Sequence, residues 1–280
     1  MNVLSLFDGM SCGQIALEKA GIKVDNYFAS EIDKHTIKVT QANYPNTKHI
    51  GDVTQVKGAD LPKIDLLIGG SPCQGFSFAG KRLNFEDQRS KLFFEFVRIL
   101  EECKPKYFLL ENVKMKKEFQ DIISKYLGVL PIEINSNLVS AQNRKRLYWT
   151  NIKIASMPDD KGCVVSDIVE KIVSDKYNLS VLAQAKIEKY SKGYKTTGKA
   201  PTLTTELAHS TGSNITPKLI KEIGKNRRAT PVECERLQTV PDNYTSMVSD
   251  TQRYKMLGNG WTVDVIAHIF KGLLNLNENL

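Results

Sequence analysis

Ile64-Asp65-Leu66-Leu67-Ile68-Gly69-Gly70, followed at once by Ser71-Pro72-Cys73-Gln74, is the stretch that decides the fold. The apolar run suits a strand covered on both faces, as the central strand of a parallel sheet is. The paired glycines end it, so Cys73 falls at the carboxyl edge of the sheet, where open α/β proteins bind their ligands. Upstream, Asn2 to Phe7 reads as a first strand, followed by a glycine-bearing turn and a helix over Cys12 to Ala20, which Gly21 stops. Tyr27 to Ile32 is a second strand with Asp33 capping the next helix, and a third short strand ends near Asp52. Downstream, Leu92, Phe93, Phe96, Val97 and Leu100 form the stripe of a helix packed on a sheet. Lys106 to Val113 is a fifth strand, and Ile132 to Val139 and Arg146 to Ile152 are two more, close enough to pair antiparallel. Strands alternating with helices predict an α/β fold with a doubly wound, mostly parallel sheet.

The alternation fades beyond residue 160, and residues 190–230 are rich in Gly, Thr, Ser and Lys with no sustained period. An amphipathic helix returns over Thr262 to Leu274. The expected organisation is a main unit of residues 1–158 completed by 250–280, with a small irregular lobe and hinge over 159–249.

The 280 residues are 41% hydrophobic and 25% charged, the balance of an ordinary soluble domain. No apolar run reaches the ~20 residues of a membrane span. Asp8 interrupts the first apolar stretch and no basic segment precedes it, so no signal peptide is read and a cytoplasmic protein is expected. The formal net charge of +8 suits a polyanionic partner, although a lysine-rich solvated surface would give the same number. Five cysteines without a CxxC pair and four scattered histidines argue for free thiols and against a metal site.

Phe7-Asp8-Gly9-Met10-Ser11-Cys12-Gly13 links the first strand to the first helix, and its glycines let a ligand approach the backbone. The pattern is not GxGxxG, so a dinucleotide is not indicated. Glu31, closing the second strand, is suited to two ribose hydroxyls, and Asp52, closing the third, to an adenine amino group. An adenosine without phosphates fits such acids; a plain strand–turn–helix unit with incidental carboxylates would look alike. Beyond Cys73, a run flanked by Gly75 and Gly80 holds Lys81 and Arg82, with Arg89 close behind, and reads as a basic loop over the site. Glu111-Asn112-Val113 brings a carboxyl to the same edge, and Gln142-Asn143-Arg144-Lys145-Arg146 brings guanidinium groups.

The order FDGxxxG, GSPCQGFS, ENV, QNRKR, a TPxECxRLQxxPDxYT segment and a terminal LGNGWTV, over residues 1–155 and 226–270, resembles the cytosine-C5 DNA methyltransferase family. The compact form is similar to that of phage and bacterial enzymes. The resemblance implies S-adenosylmethionine as cofactor and a cytosine flipped out of double-stranded DNA as substrate. It makes Cys73 the nucleophile that adds to carbon 6, Glu111 the acid at ring N3, and Arg144 and Arg146 the pair orienting base and thiolate. The base that removes the carbon-5 proton is not identified; a water molecule would serve. Phe7, Asp8, Gly9, Glu31, Ile32, Asp52, Val53, Pro72, Leu92, Asn259 and Trp261 are implied to line the cofactor pocket. Many bacterial members end in a shorter GNS-V, where this chain has Gly258-Asn259-Gly260-Trp261.

The irregular lobe becomes the target-recognition lobe, with Thr202-Leu203 similar to a Thr-Leu element of such regions. DNA contacts are expected from Gln74, Ser77, Lys81, Arg82, Arg89, Thr202, Thr204, Arg227 and Arg228. Lys114, Lys116 and Lys117 fit either phosphate contact or a solvated helix start. The short lobe hints at a brief target, and the likeness at one containing CG; the surrounding bases are not fixed by Ser, Thr and Asn side chains. A monomer, acting alone or beside a restriction endonuclease, is the expected working form. Other readings are a tRNA cytosine-C5 methyltransferase, whose Cys-Phe-Thr element is lacking because Cys163 precedes Val164, and a DNA-binding protein without catalysis. An amino-methylating enzyme would need an aromatic motif where Cys73 follows Pro72.

Overall fold

A computed structural model of the chain describes residues 1–72, 88–180, 198–205, 219–222 and 225–274; side chains of 88–90 and 219–226 lie outside that description. Its main sheet has seven strands, β1 (Asn2–Leu6), β2 (Asn26–Ser30), β3 (Lys48–His49), β4 (Leu66–Gly69), β5 (Tyr107–Val113), β6 (Ile132–Asn135) and β7 (Lys145–Thr150), in the order β3-β2-β1-β4-β5-β7-β6. β1, β2, β3, β4 and β5 run parallel, and β7 lies antiparallel against β5. Chain order therefore reverses between β1 and β4, and such a switch point opens a crevice at the carboxyl ends of the two strands. With Leu6 paired to Gly69, the turn after β1 and the Gly70-Ser71-Pro72 segment flank that crevice.

The strands are short because local chemistry ends them. The third strand, read from sequence as reaching Asp52, stops at His49: Gly51 takes φ +78°, and the Asp52 carboxylate accepts from Thr54 N at 2.9 Å to cap a 3-10 turn over Val53–Gln55. β6 likewise stops at Asn135, short of Val139, because the Asn135 side chain caps another 3-10 turn at Ser136–Leu138. The helices follow the sequence more closely: α1 is Cys12–Lys19, α2 is Lys34–Asn43 with Asp33 as its cap, α3 is Gln88–Cys103 and α4 is Lys117–Leu127. α1 lies so close to the sheet that a Cβ on Gly13 would stand 2.4 Å from Ile68.

The chain divides into two compact units. The first comprises residues 1–134, 145–157 and 267–280, the second 135–144 and 158–266. Segments 135–144 and 250–266, assigned by sequence to the main unit, belong to the second. The first unit's core joins Leu4, Leu6, Leu67, Phe93, Phe96, Ile99, Leu110 and Trp149, all fully buried between the sheet, α3 and α4. Truncating one of these large side chains would cost about 2–5 kcal/mol.

In the second unit α5 (Val165–Ile168), the antiparallel pair β8 (Leu219–Glu222) and β9 (Lys225–Arg228), α6 (Pro231–Leu237) and α7 (Asp250–Asn259) precede α8 (Val263–Lys271), which runs back into the first. Thr230 and Glu233 close a capping box around Pro231, the N-terminal signal of α6. Buried charge organises this unit: Arg227 meets Glu233 at 2.7 Å, and Arg253 meets Glu235 at 3.0 Å. No described helix is long and apolar enough to cross a membrane.

Candidate active site

Five chain segments reach the carboxyl edge of the sheet in the first unit. After β1, Phe7 at φ 57°, Gly9 at φ 60° and Ser11 at φ 59° wind the chain into a tight turn whose last residue starts α1. After β2 comes Glu31. Its Oε2 accepts from Gly9 N at 2.8 Å, and its Oε1 accepts from Ile32 N and Asp33 N, both at 2.8 Å. Three backbone amides thus fix one carboxylate against the glycine turn, an arrangement suited to a fixed acceptor for hydroxyl groups. Ile32 beside it is 74% exposed, an apolar face with no core to cover it.

Asp8 occupies the floor of the turn. Its Oδ1 accepts from the Tyr27 hydroxyl at 2.7 Å, and its Oδ2 from Ser11. Burial pushes its pKa up to about 6, against the pull of those hydroxyls and aided by the charge of Glu31. Tyr27, buried beside the Asp8 carboxylate, is driven well above its ordinary value. Ser11, three residues along the same turn, and Tyr27, on the adjacent strand, were not singled out in the sequence; only the Asp-x-x-Ser spacing hinted at the first.

The remaining expected cofactor residues divide by burial. Phe7 and Leu92 pack against the core and keep partial exposure, and Pro72 is exposed. Val53 is a core side chain, 5% exposed, whose carbonyl accepts from Arg98 Nη2 at 3.1 Å. Asp52 Oδ1 holds Thr54 through both N and Oγ1 at 2.9 Å. Asn259 is exposed and Trp261 half-buried, both in the second unit. His49 was passed over in the sequence; its ring nitrogens are buried and meet no partner among the described residues, and burial lowers its pKa.

The reactive edge lies further along. Asn112 Nδ2 donates to Ser71 O and Ser71 Oγ, each at 3.3 Å, tying the end of β5 to the segment after β4, two residues before Cys73. Glu111 lies two residues from Val113, whose partner in the antiparallel register is Arg146. That register brings Arg146 Nε to 3.0 Å from Glu111 Oε1, with both side chains nearly buried, 13% and 11% exposed. A carboxyl group held by a guanidinium can meet both the ring nitrogen and the amino group of a pyrimidine.

Other expected residues are placed differently. Arg144, grouped with Arg146 by sequence, is 2% exposed and belongs to the second unit, where its guanidinium donates to backbone carbonyls. Arg227, expected on DNA, is 3% exposed and committed to Glu233, because a guanidinium buried there needs the carboxylate that caps α6. Arg228 keeps partial exposure and donates to Lys176 O at 3.1 Å. Thr202 Oγ1 donates to Asn143 O at 2.6 Å; the buried Thr204 Oγ1 meets no partner among the described residues. Cys73, Gln74, Ser77, Lys81 and Arg82 lie outside the described residues, as does the Arg89 side chain. Lys117 begins α4, and Lys114 pairs with Glu133 at 2.8 Å. Among the described residues no group of three or more His, Cys, Asp or Glu is placed to hold a metal ion.

The model of the C-5 cytosine-specific DNA methylase family matches residues 1–275. The Type II methyltransferase M1.ScrFI of Lactococcus lactis subsp. cremoris is 36% identical, over 99% of this chain and 78% of that protein. The Type II methyltransferase M.NlaX of Neisseria lactamica is 33% identical, over 95% of this chain and 94% of its own. Among solved structures, the Entamoeba histolytica methyltransferase EhMeth shares the fold with a TM-score of 0.82 at 20% identity, over 99% of this chain and 98% of that one. With the glycine turn, the anchored Glu31 and the Glu111–Arg146 pair on one sheet edge, and a family match along nearly its whole length, the chain belongs to the C-5 cytosine-specific DNA methylases.

Proposed function

We propose that the chain methylates carbon 5 of a flipped-out cytosine in a short sequence of double-stranded DNA, with Cys73 as nucleophile and Glu111 and Arg146 as its partners. The observation that carries this reading is the nearly buried 3.0 Å contact between Arg146 and Glu111 on the strand next to the one leading into Cys73. Carbon 5 of cytosine is too electron-poor to accept a methyl group unaided. A Cys73 thiolate adding to carbon 6 makes carbon 5 nucleophilic, while Glu111 gives a proton to N3 as negative charge develops there and Arg146 holds the Glu111 carboxyl in place. A water molecule then takes the carbon-5 proton, the C–H electron pair forms the C5–C6 double bond, the sulfur leaves with the electron pair of the C–S bond, and N3 returns its proton to Glu111, regenerating the thiolate, the acid and the aromatic ring. Asn112 keeps Ser71, and hence the start of the Cys73 segment, against β5 throughout.

The residues present fit S-adenosylmethionine: the amide-anchored Glu31 offers a fixed acceptor for ribose hydroxyls, and exposed Ile32 an apolar face for adenine. When bound, that cofactor supplies an electrophilic methyl group. Phe7, Gly9, Asp52, Val53, Pro72 and Leu92 complete the proposed cofactor set of the first unit, with Asp8 acting from beneath the turn, and the family resemblance adds Asn259 and Trp261 of the second. DNA phosphates would be met by Lys81, Arg82, Arg89 and Arg228. The relatives' designation as Type II methyltransferases supports work beside a restriction endonuclease.

The test is labelled methyl transfer to duplex DNA and to tRNA side by side, followed by bisulphite sequencing of the DNA. Label in duplex DNA at unconverted cytosines is expected. Label confined to tRNA, or to an exocyclic amine, would overturn the reading.

A further inference from the structure

Arg144 was grouped by sequence with Arg146, but its surroundings give it different work. Nη1 donates to Leu203 O at 2.9 Å, and Nη2 donates to Gly260 O at 2.8 Å and to Gly258 O at 3.2 Å. One guanidinium thus joins two distant stretches of backbone. One is the strap 200–204, which lies within the expected recognition lobe and carries Thr202-Leu203. The other is the end of α7 and the turn that carries Asn259 and Trp261.

The strap is fixed by more than the arginine. Ala200 N donates to Ala141 O at 2.6 Å, Asn143 N to Ala200 O at 2.7 Å, and Thr202 Oγ1 to Asn143 O at 2.6 Å. Leu203 N donates to Gln142 Oε1 at 2.7 Å, while Gln142 Nε2 reaches Leu237 O at 3.1 Å. On the other side, Gln238 Nε2 donates to Leu257 O at 2.7 Å and Gly260 O at 3.1 Å. The two stretches are also in direct contact: a Cβ on Gly258 would stand 2.6 Å from the carbonyl carbon of Thr204.

Hydrogen bonds from a charged donor contribute about 1.5–3 kcal/mol each, and a buried donor left without its acceptor is costly. The strap and the turn therefore cannot shift independently without stranding the same guanidinium. Resting on the function proposed above, we propose that Arg144 is a positioning residue that locks the Ala200–Thr204 strap to the Gly258–Trp261 turn and so couples DNA binding to cofactor binding. A ligand that orders one stretch lowers the cost of ordering the other, and the coupling is reciprocal. The base-contacting guanidinium is then Arg146 alone.

The experiment measures the affinity of the full chain for S-adenosylhomocysteine, with and without a saturating duplex that carries its methylation site, together with kcat at saturating ligands. Wild type is expected to bind S-adenosylhomocysteine at least about fivefold more tightly with DNA present, the low end of ordinary coupling. Arg144→Lys should bring that ratio to within about twofold of one. Arg146→Lys should show the opposite split, a retained ratio and a large loss of kcat. A ratio unchanged in Arg144→Lys, or absent from wild type, would overturn the proposal, as would a hundredfold loss of kcat with the ratio kept. A wild type that binds neither ligand removes the functional reading itself. Should Arg144→Lys not fold, Arg144→Gln carries the same test: its short amide cannot reach both Leu203 O and Gly260 O, and a ratio left at the wild-type value again overturns the proposal.

Discussion

Arg146 and Glu111 meet at 3.0 Å across an antiparallel strand pair, so the proposed acid and its cationic partner are set by sheet register instead of by a loop. A guanidinium so placed fixes the orientation of the carboxyl group before any base arrives. Glu111→Gln keeps the shape but cannot give up and take back a proton. A loss of ~10²–10⁴ in kcat is expected, the usual contribution of a positioned acid. Steady-state methyl transfer measures it, and a variant within tenfold of wild type would remove Glu111 from the chemistry.

Glu31 is anchored by three amides, so its worth to the proposed cofactor should appear in binding affinity. Glu31→Ala leaves Gly9 N, Ile32 N and Asp33 N without their acceptor and removes the proposed ribose contact. Calorimetric titration with S-adenosylhomocysteine should show a loss of about tenfold or more, since a charged hydrogen bond contributes ~1.5–3 kcal/mol. Unchanged affinity would place the ribose elsewhere.

Asp8 supplies a pH dependence of stability. Its folded pKa of about 6 lies above the ordinary 3.8, so the folded state holds the proton more firmly than the unfolded chain does. Its contribution is fully present below pH ~4 and is lost as pH rises through ~6, a change on the order of 2–3 kcal/mol. Urea denaturation across that window should show a fall in stability that Asp8→Asn flattens. Parallel profiles for the two proteins would contradict the assignment.

Arg227 and Glu233 form a pair with side chains 4% and 0% exposed. Breaking it with Arg227→Ala should destabilise the protein by about 3–5 kcal/mol, because Glu233 is left buried and unpaired. The slope of DNA affinity against salt should stay as in wild type, whereas loss of a phosphate contact would lower it by about one. A lowered slope with unchanged stability would return Arg227 to the DNA surface.

Much of the candidate site could be read in the sequence because it follows strand ends. The apolar run at 64–70, the turn after Leu6 and the ENV triplet each mark a place where a strand stops, and parallel strands stop at the same edge. What could not be read depends on partners distant in the chain. QNRKR shows two arginines two residues apart, yet the boundary between the units falls between Arg144 and Lys145: one guanidinium serves Leu203 and Gly260, the other Glu111. Arg227 and Arg228 look alike in sequence, and only the capping carboxylate of Glu233 separates them. The shortness of β3 was missed for a local reason, the left-handed turn at Gly51.

The most direct test of the central claim is denaturing electrophoresis after mixing the protein with S-adenosylmethionine and a duplex whose target cytosine carries fluorine at carbon 5. Carbon–fluorine bonds do not release F⁺, so elimination stalls after methyl transfer, and wild type should migrate as a stable protein–DNA adduct that Cys73→Ser does not form. An equal adduct with Cys73→Ser, or no adduct from a wild type that methylates the unfluorinated duplex, would contradict nucleophilic attack by Cys73.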